Sequence, residues 1–223
     1  MLFSLEPKAT RRELYDRDRE LNELSGSVDR GDRIVVVYGI RRVGKTSLVR
    51  AFLSEARHPY VLVDVRQVYF TEGSVSANVL VRYVLDGFRE FMGRRDRLWA
   101  SLRDVLRGID WVRVSPGGVE VRLSRRSRVD LTELFRAIDE WCEHNSTRFV
   151  IVLDEAQYMR FSNIRYDGVL AWAYDNLGRV TFIVTGSEVG VLRDFLRLRI
   201  PRRHSSVGTL RRFTWIDSIR MPA

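Results

Sequence analysis

Three observations on the 223-residue chain predict an α/β fold with a parallel sheet flanked by helices. Segments 33–39, 60–65, 148–154 and 180–187 read as continuous apolar runs rich in β-branched residues, the pattern of strands buried on both faces. Stretches with helical spacing lie between them. The glycine that closes one run and the two acids that close another fall where parallel sheets bind ligands, at the carboxyl ends of strands.

Each element follows from its own residues. DRDRELNELSGSVD (16–29) sets Leu21, Leu24 and Val28 at helical spacing, with Asp16 or Asp18 near the start. RIVVVYG (33–39) is a β-branched run ending in glycine, and TSLVRAFLSEA after it has helical spacing, so the order is strand, glycine loop, helix. YVLVDV (60–65) is a second buried strand, and residues 75–107 hold two helical stretches, the second rich in both signs of charge. WVRVSPGGVEVRLS alternates apolar and polar residues around Pro116-Gly117-Gly118, which predicts a small β-hairpin insertion near 111–123. Leu131, Leu134, Phe135, Ile138 and Trp141 form a helical stripe. RFVIVLDEAQ (148–157) is an apolar strand ending in two acids, and VTFIVTGS (180–187) is followed by a helix from about Glu188 to Leu198.

Composition narrows the class. No run approaches the roughly 18 apolar residues that span a bilayer, and MLFSLEPKATRREL lacks the apolar stretch of a secretory signal. One cysteine, Cys142, cannot form an internal disulfide; the cytoplasm is the expected compartment and a small buried helix residue the expected role. The net charge of +9 is uneven: residues 193–223 hold eight arginines against Asp194 and Asp217. Lysines are two, Lys8 and Lys45, and the second belongs to a motif.

Gly39-Ile40-Arg41-Arg42-Val43-Gly44-Lys45-Thr46 fits G-x-x-x-x-G-K-[ST] without deviation. Its glycines let the backbone curl so that successive N–H groups face phosphates, and the helix opening at Lys45 points its positive end at them. Lys45 is expected to reach the β- and γ-phosphates and Thr46 to offer its hydroxyl to magnesium. Asp154 and Glu155 follow VIVL directly and emerge beside that loop, the Walker B position: Asp154 for the magnesium shell, Glu155 for polarising the attacking water. Two acids after a strand often merely cap the next helix, and the pairing with a phosphate loop favours the chemical role. Thr185, Gly186 and Ser187 end the next strand, where Ser187 either sets a hydroxyl between the acids and the γ-phosphate or caps a helix. Of Arg41 and Arg42, one is placed to approach the phosphates and the other to make a structural ion pair.

Other residues carry plainer expectations. His58, His144 and His204 stand apart without zinc-ligand spacing. Arg94, Arg95, Asp96 and Arg97 read as a solvated helix face, and Trp111, Trp141, Trp172 and Trp215 as core or edge packing.

GIRRVGKTSLV, VIVLDEAQY and FIVTGSEVGVL, in that order, resemble the archaeal-type ATPases of the STAND group of P-loop NTPases, whose blocks are G-x-R-R-x-G-K-T-[ST], D-E-x-Q and T-G-S. That block extends the loop to Ser47. DRDRELNEL is similar to the family's entry helix, and the resemblance covers roughly residues 10–198. It implies a sheet of order 5-1-4-3-2, with Walker B on the third strand and the T-G-S strand beside the P-loop strand. It further implies ATP, Mg2+ and slow, switch-like hydrolysis.

The domain expected is therefore a P-loop ATPase core at 1–198, followed by an atypical basic tail at 199–223 where the family has a fifth strand, a lid and a winged helix. Codons exist for PRRHSSVGTLRRFTWIDSIRMPA that read SPLFGRHAEEVHVDRFDKNA two bases out of register, a segment like the family's own continuation. A shifted frame is thus the expected source of the tail's charge, ahead of a phosphate-binding arm, with a short strand near Leu210–Ile216 and otherwise poor packing. The expected function is an ATP-binding, Mg-dependent ATP-hydrolysing regulatory core, with a protein or DNA partner reached through the missing C-terminal regions. The alternative is a nucleic-acid-binding or scaffold protein in which nucleotide is structural or absent.

Overall fold

The computed structural model describes residues 8–92, 96–115, 118–121, 130–187 and 214–217, with backbone alone at 88–92, 96–99, 114–115, 118–121 and 214–217. The expected helix at 188–198, the side chains of Arg94, Arg95, Asp96, Arg97 and Trp215, His204, and the tail apart from 214–217 lie outside the described residues.

A five-stranded parallel sheet forms the centre, built from β1 (Ile34–Tyr38), β2 (Tyr60–Asp64), β5 (Phe149–Asp154), β6 (Val180–Gly186) and β7 (Thr214–Asp217). Its order is β2-β5-β6-β1-β7. Numbered within the sheet alone, that is the expected 5-1-4-3-2. The fifth strand comes from the basic tail: Thr214 pairs with Val35 and Asp217 with Tyr38 along the edge of β1. Val112–Ser115 (β3) and Gly118–Val121 (β4) make a separate antiparallel hairpin at the expected place.

Continuous apolar runs suit these strands because both sheet faces are covered. Along β1, Ile34 and Val36 face one layer while Val35 and Val37 face the other. The alternation repeats in β5, where Phe149, Ile151 and Leu153 oppose Val150 and Val152. The first layer is thick, built from α3 (Val65–Glu72), α4 (Ala77–Met92), α5 (Asp96–Leu106), α6 (Leu131–His144) and α7 (Tyr166–Asn176). The second is thin, built on α1 (Asp18–Arg30) and α2 (Lys45–Glu55). Right-handed crossovers require this division, since β1 connects to β2 in one direction and β2, β5 and β6 return in the other.

The stripe Leu131, Leu134, Phe135, Ile138 and Trp141 is buried as its spacing predicts, as are Trp111 and Cys142. Burial pushes the Cys142 thiol up to about 12. Trp172 packs at the edge, under the Arg136 guanidinium. Among the described residues, α3 and α7, and a 3-10 helix at Ala156–Phe161, are elements the hydrophobic spacing does not reveal. The start of α3 is set by Asp64, whose carboxylate accepts from the Gln67 N–H at 2.9 Å. Gly87 permits α4 to lie on β2, because a Cβ there would meet Val61 Cγ2 at 2.1 Å. At the opposite edge of the sheet from the carboxyl ends, Asp139 on α6 accepts from the backbone N–H groups of Gly178, Arg179 and Val180, where β6 begins.

Candidate functional site

The loop 39–44 leaves β1 and enters α2 with Gly44 at φ 82, the left-handed region that glycine occupies without a Cβ penalty. Having no side chain, Gly44 caps none of the free N–H groups of the first turn of α2, which leaves these donors and the positive helix end beside the loop uncapped by it. Lys45 is the single buried lysine or arginine among the described residues. Its ammonium donates to the carbonyls of Gly39 at 3.0 Å and Ile40 at 2.9 Å, bonds that hold the loop curled. Burial lowers its pKa, opposed by the charges of Glu155 and Asp154. Arg17, at the entry to α1, pairs with Glu20 and donates to the Val43 carbonyl at 3.3 Å, and the Lys8 N–H donates to Ser47 Oγ at 3.1 Å. The N-terminal segment is thereby fastened to the loop from outside. Ile40, Arg41 and Arg42 are exposed, Arg42 with φ 71.

The acids stand opposite. Asp154 is 3% exposed and accepts from Thr46 Oγ1 at 2.8 Å on one oxygen and from Thr185 Oγ1 on the other. Burial pushes its carboxyl above the usual range, the two hydroxyls pull it down, and Asp64, its register partner on β2, and Glu155 add further upward pressure. Glu155 sits at φ 54, and its N–H donates to Thr185 Oγ1 at 3.1 Å. Holding a non-glycine residue there costs about 1–3 kcal/mol, a strain retained mostly where function requires it. Its Oε2 accepts from Ser187 Oγ at 2.9 Å and from the Gln157 amide, which also donates to Ser187 Oγ at 3.3 Å. Gln157 is 3% exposed and its Oε1 has no partner among the described residues, a burial that costs about 1–3 kcal/mol.

All the residues singled out in the sequence, Gly39 to Ser47, Asp154, Glu155 and Ser187, thus gather at one edge of the sheet. Curled backbone donors and a lysine suit a polyphosphate. The hydroxyl of Thr46 beside the Asp154 carboxylate is an oxygen donor pair for a hard divalent cation. No group of three or more histidines, cysteines or acids able to hold a metal occurs among the described residues, so such an ion would complete its shell with phosphate and water, as magnesium does. Spacing alone did not single out Gln157, Arg17 or Asp64; the Gln of D-E-x-Q was the one signal for the first.

The model of a family of ATPase domains found predominantly in Archaea matches residues 14–214, reaching past the 198 at which the motif resemblance ends. Among solved structures, a Walker-type ATPase of Pyrococcus abyssi is similar at 31% identity and TM-score 0.67, covering 97% of this chain and 57% of that one. The ORC2 protein of Aeropyrum pernix, in ADPNP and ADP complexes, shares the fold at 15% identity and TM-score 0.52, covering 97% of this chain and 50% of that one. The chain therefore spans about half the length of either structure. No curated protein matches it. No helix of the described residues is long and apolar enough to cross a membrane. With a matched model over most of its length and a 31%-identical structural relative, the chain belongs to the archaeal family of P-loop ATPase domains.

Proposed function

We propose that this domain binds Mg-ATP on the loop 39–46 and hydrolyses it slowly, as the regulatory core of a STAND-type ATPase. One observation carries the reading: Asp154 joins Thr46, at the start of α2, to Thr185, at the end of β6, by two hydroxyl bonds. Three separate chain segments thus converge on one carboxylate.

The residues divide the work. Gly39 to Thr46 wrap the triphosphate, and Lys45 exchanges two carbonyl acceptors for phosphate oxygens. Thr46 and Asp154 would hold magnesium, which when bound supplies positive charge against the charge developing on the phosphoryl oxygens. Glu155 accepts the proton of the attacking water. Ser187 orients Glu155 through its hydroxyl bond at 2.9 Å.

Titration calorimetry with Mg-ATP and a phosphate-release assay, on the wild type and Lys45→Ala, test the proposal. Binding by the wild type and at least a hundredfold loss in the variant are expected, since a charge-assisted contact to two phosphates is removed. Equal affinity in both proteins would sink it.

A further inference from the structure

The D-E-x-Q glutamine is bonded to Glu155 yet has no role in the proposed chemistry, and it is buried and polar. Gln157 lies on the 3-10 helix Ala156–Phe161 directly after the acids and is buried. That short helix is fixed from its far side by Tyr158 and Phe161, whose rings lie 5.7 and 5.2 Å from that of Tyr69 on α3. The orientation of the amide is dictated chemically. Glu155 is a carboxylate that can only accept, so the amide must turn its nitrogen toward it.

The result is a ring of three hydrogen bonds. Gln157 Nε2 donates to Glu155 Oε2 and to Ser187 Oγ, while Ser187 Oγ donates to the same Glu155 Oε2. Both donors converge on one carboxylate oxygen. Glu155 Oε1 accepts from no described residue, and Glu155 itself is half-buried rather than enclosed. A simple packing role would not select glutamine here, because an apolar side chain of this size would avoid the unpartnered buried Oε1.

From this geometry we infer that Gln157 is a positioning residue: with Ser187 it pins Glu155 Oε2, so that Oε1 is the oxygen presented to the attacking water. The inference rests on the hydrolytic reading given above. It separates the D-E-x-Q block into a metal-holding acid, a proton-accepting acid and an amide that aims the second.

Gln157→Leu, in the full chain, tests it with two readouts. In the nucleotide-free wild type, the Gln157 side-chain amide should give a slowly exchanging, dispersed pair of proton–nitrogen resonances. Glu155→Ala should collapse that pair toward the position of an exposed glutamine. For turnover, Gln157→Leu should keep KM for Mg-ATP within about twofold and lose about tenfold to a hundredfold in kcat, the scale of a misaimed reacting group. Its melting temperature should stay within about 3 °C of wild type, since an orphaned carbonyl leaves along with the lost bonds. Adding Ser187→Ala to Gln157→Leu should cost much less than the two single losses combined, because both hold one oxygen.

An exposed-like amide pair in the wild type overturns the inference whatever the turnover. So does an unchanged kcat, or a kcat loss matched by falls in affinity and melting temperature, which would make Gln157 structural. A wild type that binds Mg-ATP without turning it over removes the hydrolytic reading and the inference together. A Glu155→Gln loss alongside full activity in Gln157→Leu removes the inference alone.

Discussion

The loop after β1 and the turn after β5 face each other across the same edge of the sheet and are held by opposite means. The loop is a backbone device: its side chains at 40–42 are exposed, and its shape rests on left-handed turns at Arg42 and Gly44 and on its carbonyls bonded by Lys45 and Arg17. The turn is a side-chain device, with Asp154 and Glu155 tied by Thr46, Thr185, Ser187 and Gln157. Under the proposed function, the difference follows from what each would meet. Phosphates carry charge in all directions and are best wrapped by many weak donors, whereas a proton or a metal ion is handled by one carboxylate aimed in advance.

Substitutions on each side would sharpen or break that contrast. The largest effect is expected at Glu155→Gln, which keeps the shape and removes the base. Single-turnover rates should fall about a hundredfold or more with Mg-ATP affinity within about threefold, and an unchanged rate would move the base elsewhere. Next comes Gly44→Ala. A Cβ there has open space, with nothing within 4 Å, so the cost is left-handed strain alone, about 1–2 kcal/mol, or roughly 4 °C in melting temperature. A much larger drop would show that the loop depends on contacts as well as backbone shape.

The smallest effect is of opposite sign. Burial raises the Asp154 carboxyl in the folded state, so its charged form costs stability. That cost is absent below the unfolded value and fully present once pH exceeds the folded one. Asp154→Asn should therefore melt about 2 °C higher than wild type at pH 7.5, with the gap closing as the solution is acidified through the folded value. A variant that melts lower would mean the two hydroxyl bonds to Asp154 outweigh its burial.

The same contrast explains what was legible in the sequence. The loop was readable because its chemistry is backbone chemistry, and a backbone that must curl spells itself in glycines at fixed spacing. Asp154 and Glu155 were readable because a buried strand that ends in two acids is a break in pattern. Gln157 was not, since nothing in its spacing distinguishes a buried amide aimed at an acid from a polar turn residue. α3 escaped because Val-Arg-Gln-Val-Tyr-Phe is β-branched and aromatic, as a strand would be; the deciding signal was Asp64 as a cap. Tyr166, Leu170 and Ala173, the buried residues of α7, do fall at helical spacing, but Val169, Ala171, Trp172 and Tyr174 between them are apolar too and blur the stripe. In the tail, the β-prone Thr-Trp-Ile lies within Leu210–Ile216, where the sequence allows a strand without requiring one, and the pairing runs over Thr214–Asp217.

Asp139 gives the site a reference point remote from its chemistry. By gathering the N–H groups that open β6, it indexes the strand from its beginning, with Val180 about 23 Å from Ser187 at the strand's usual rise. A slip of one residue would turn every β6 side chain to the other face, sending Thr185 and Ser187 away from the acids they hold. The alignment of Thr185 and Ser187 is thus calibrated at the far end of their strand, by a carboxylate remote from the loop and the two acids.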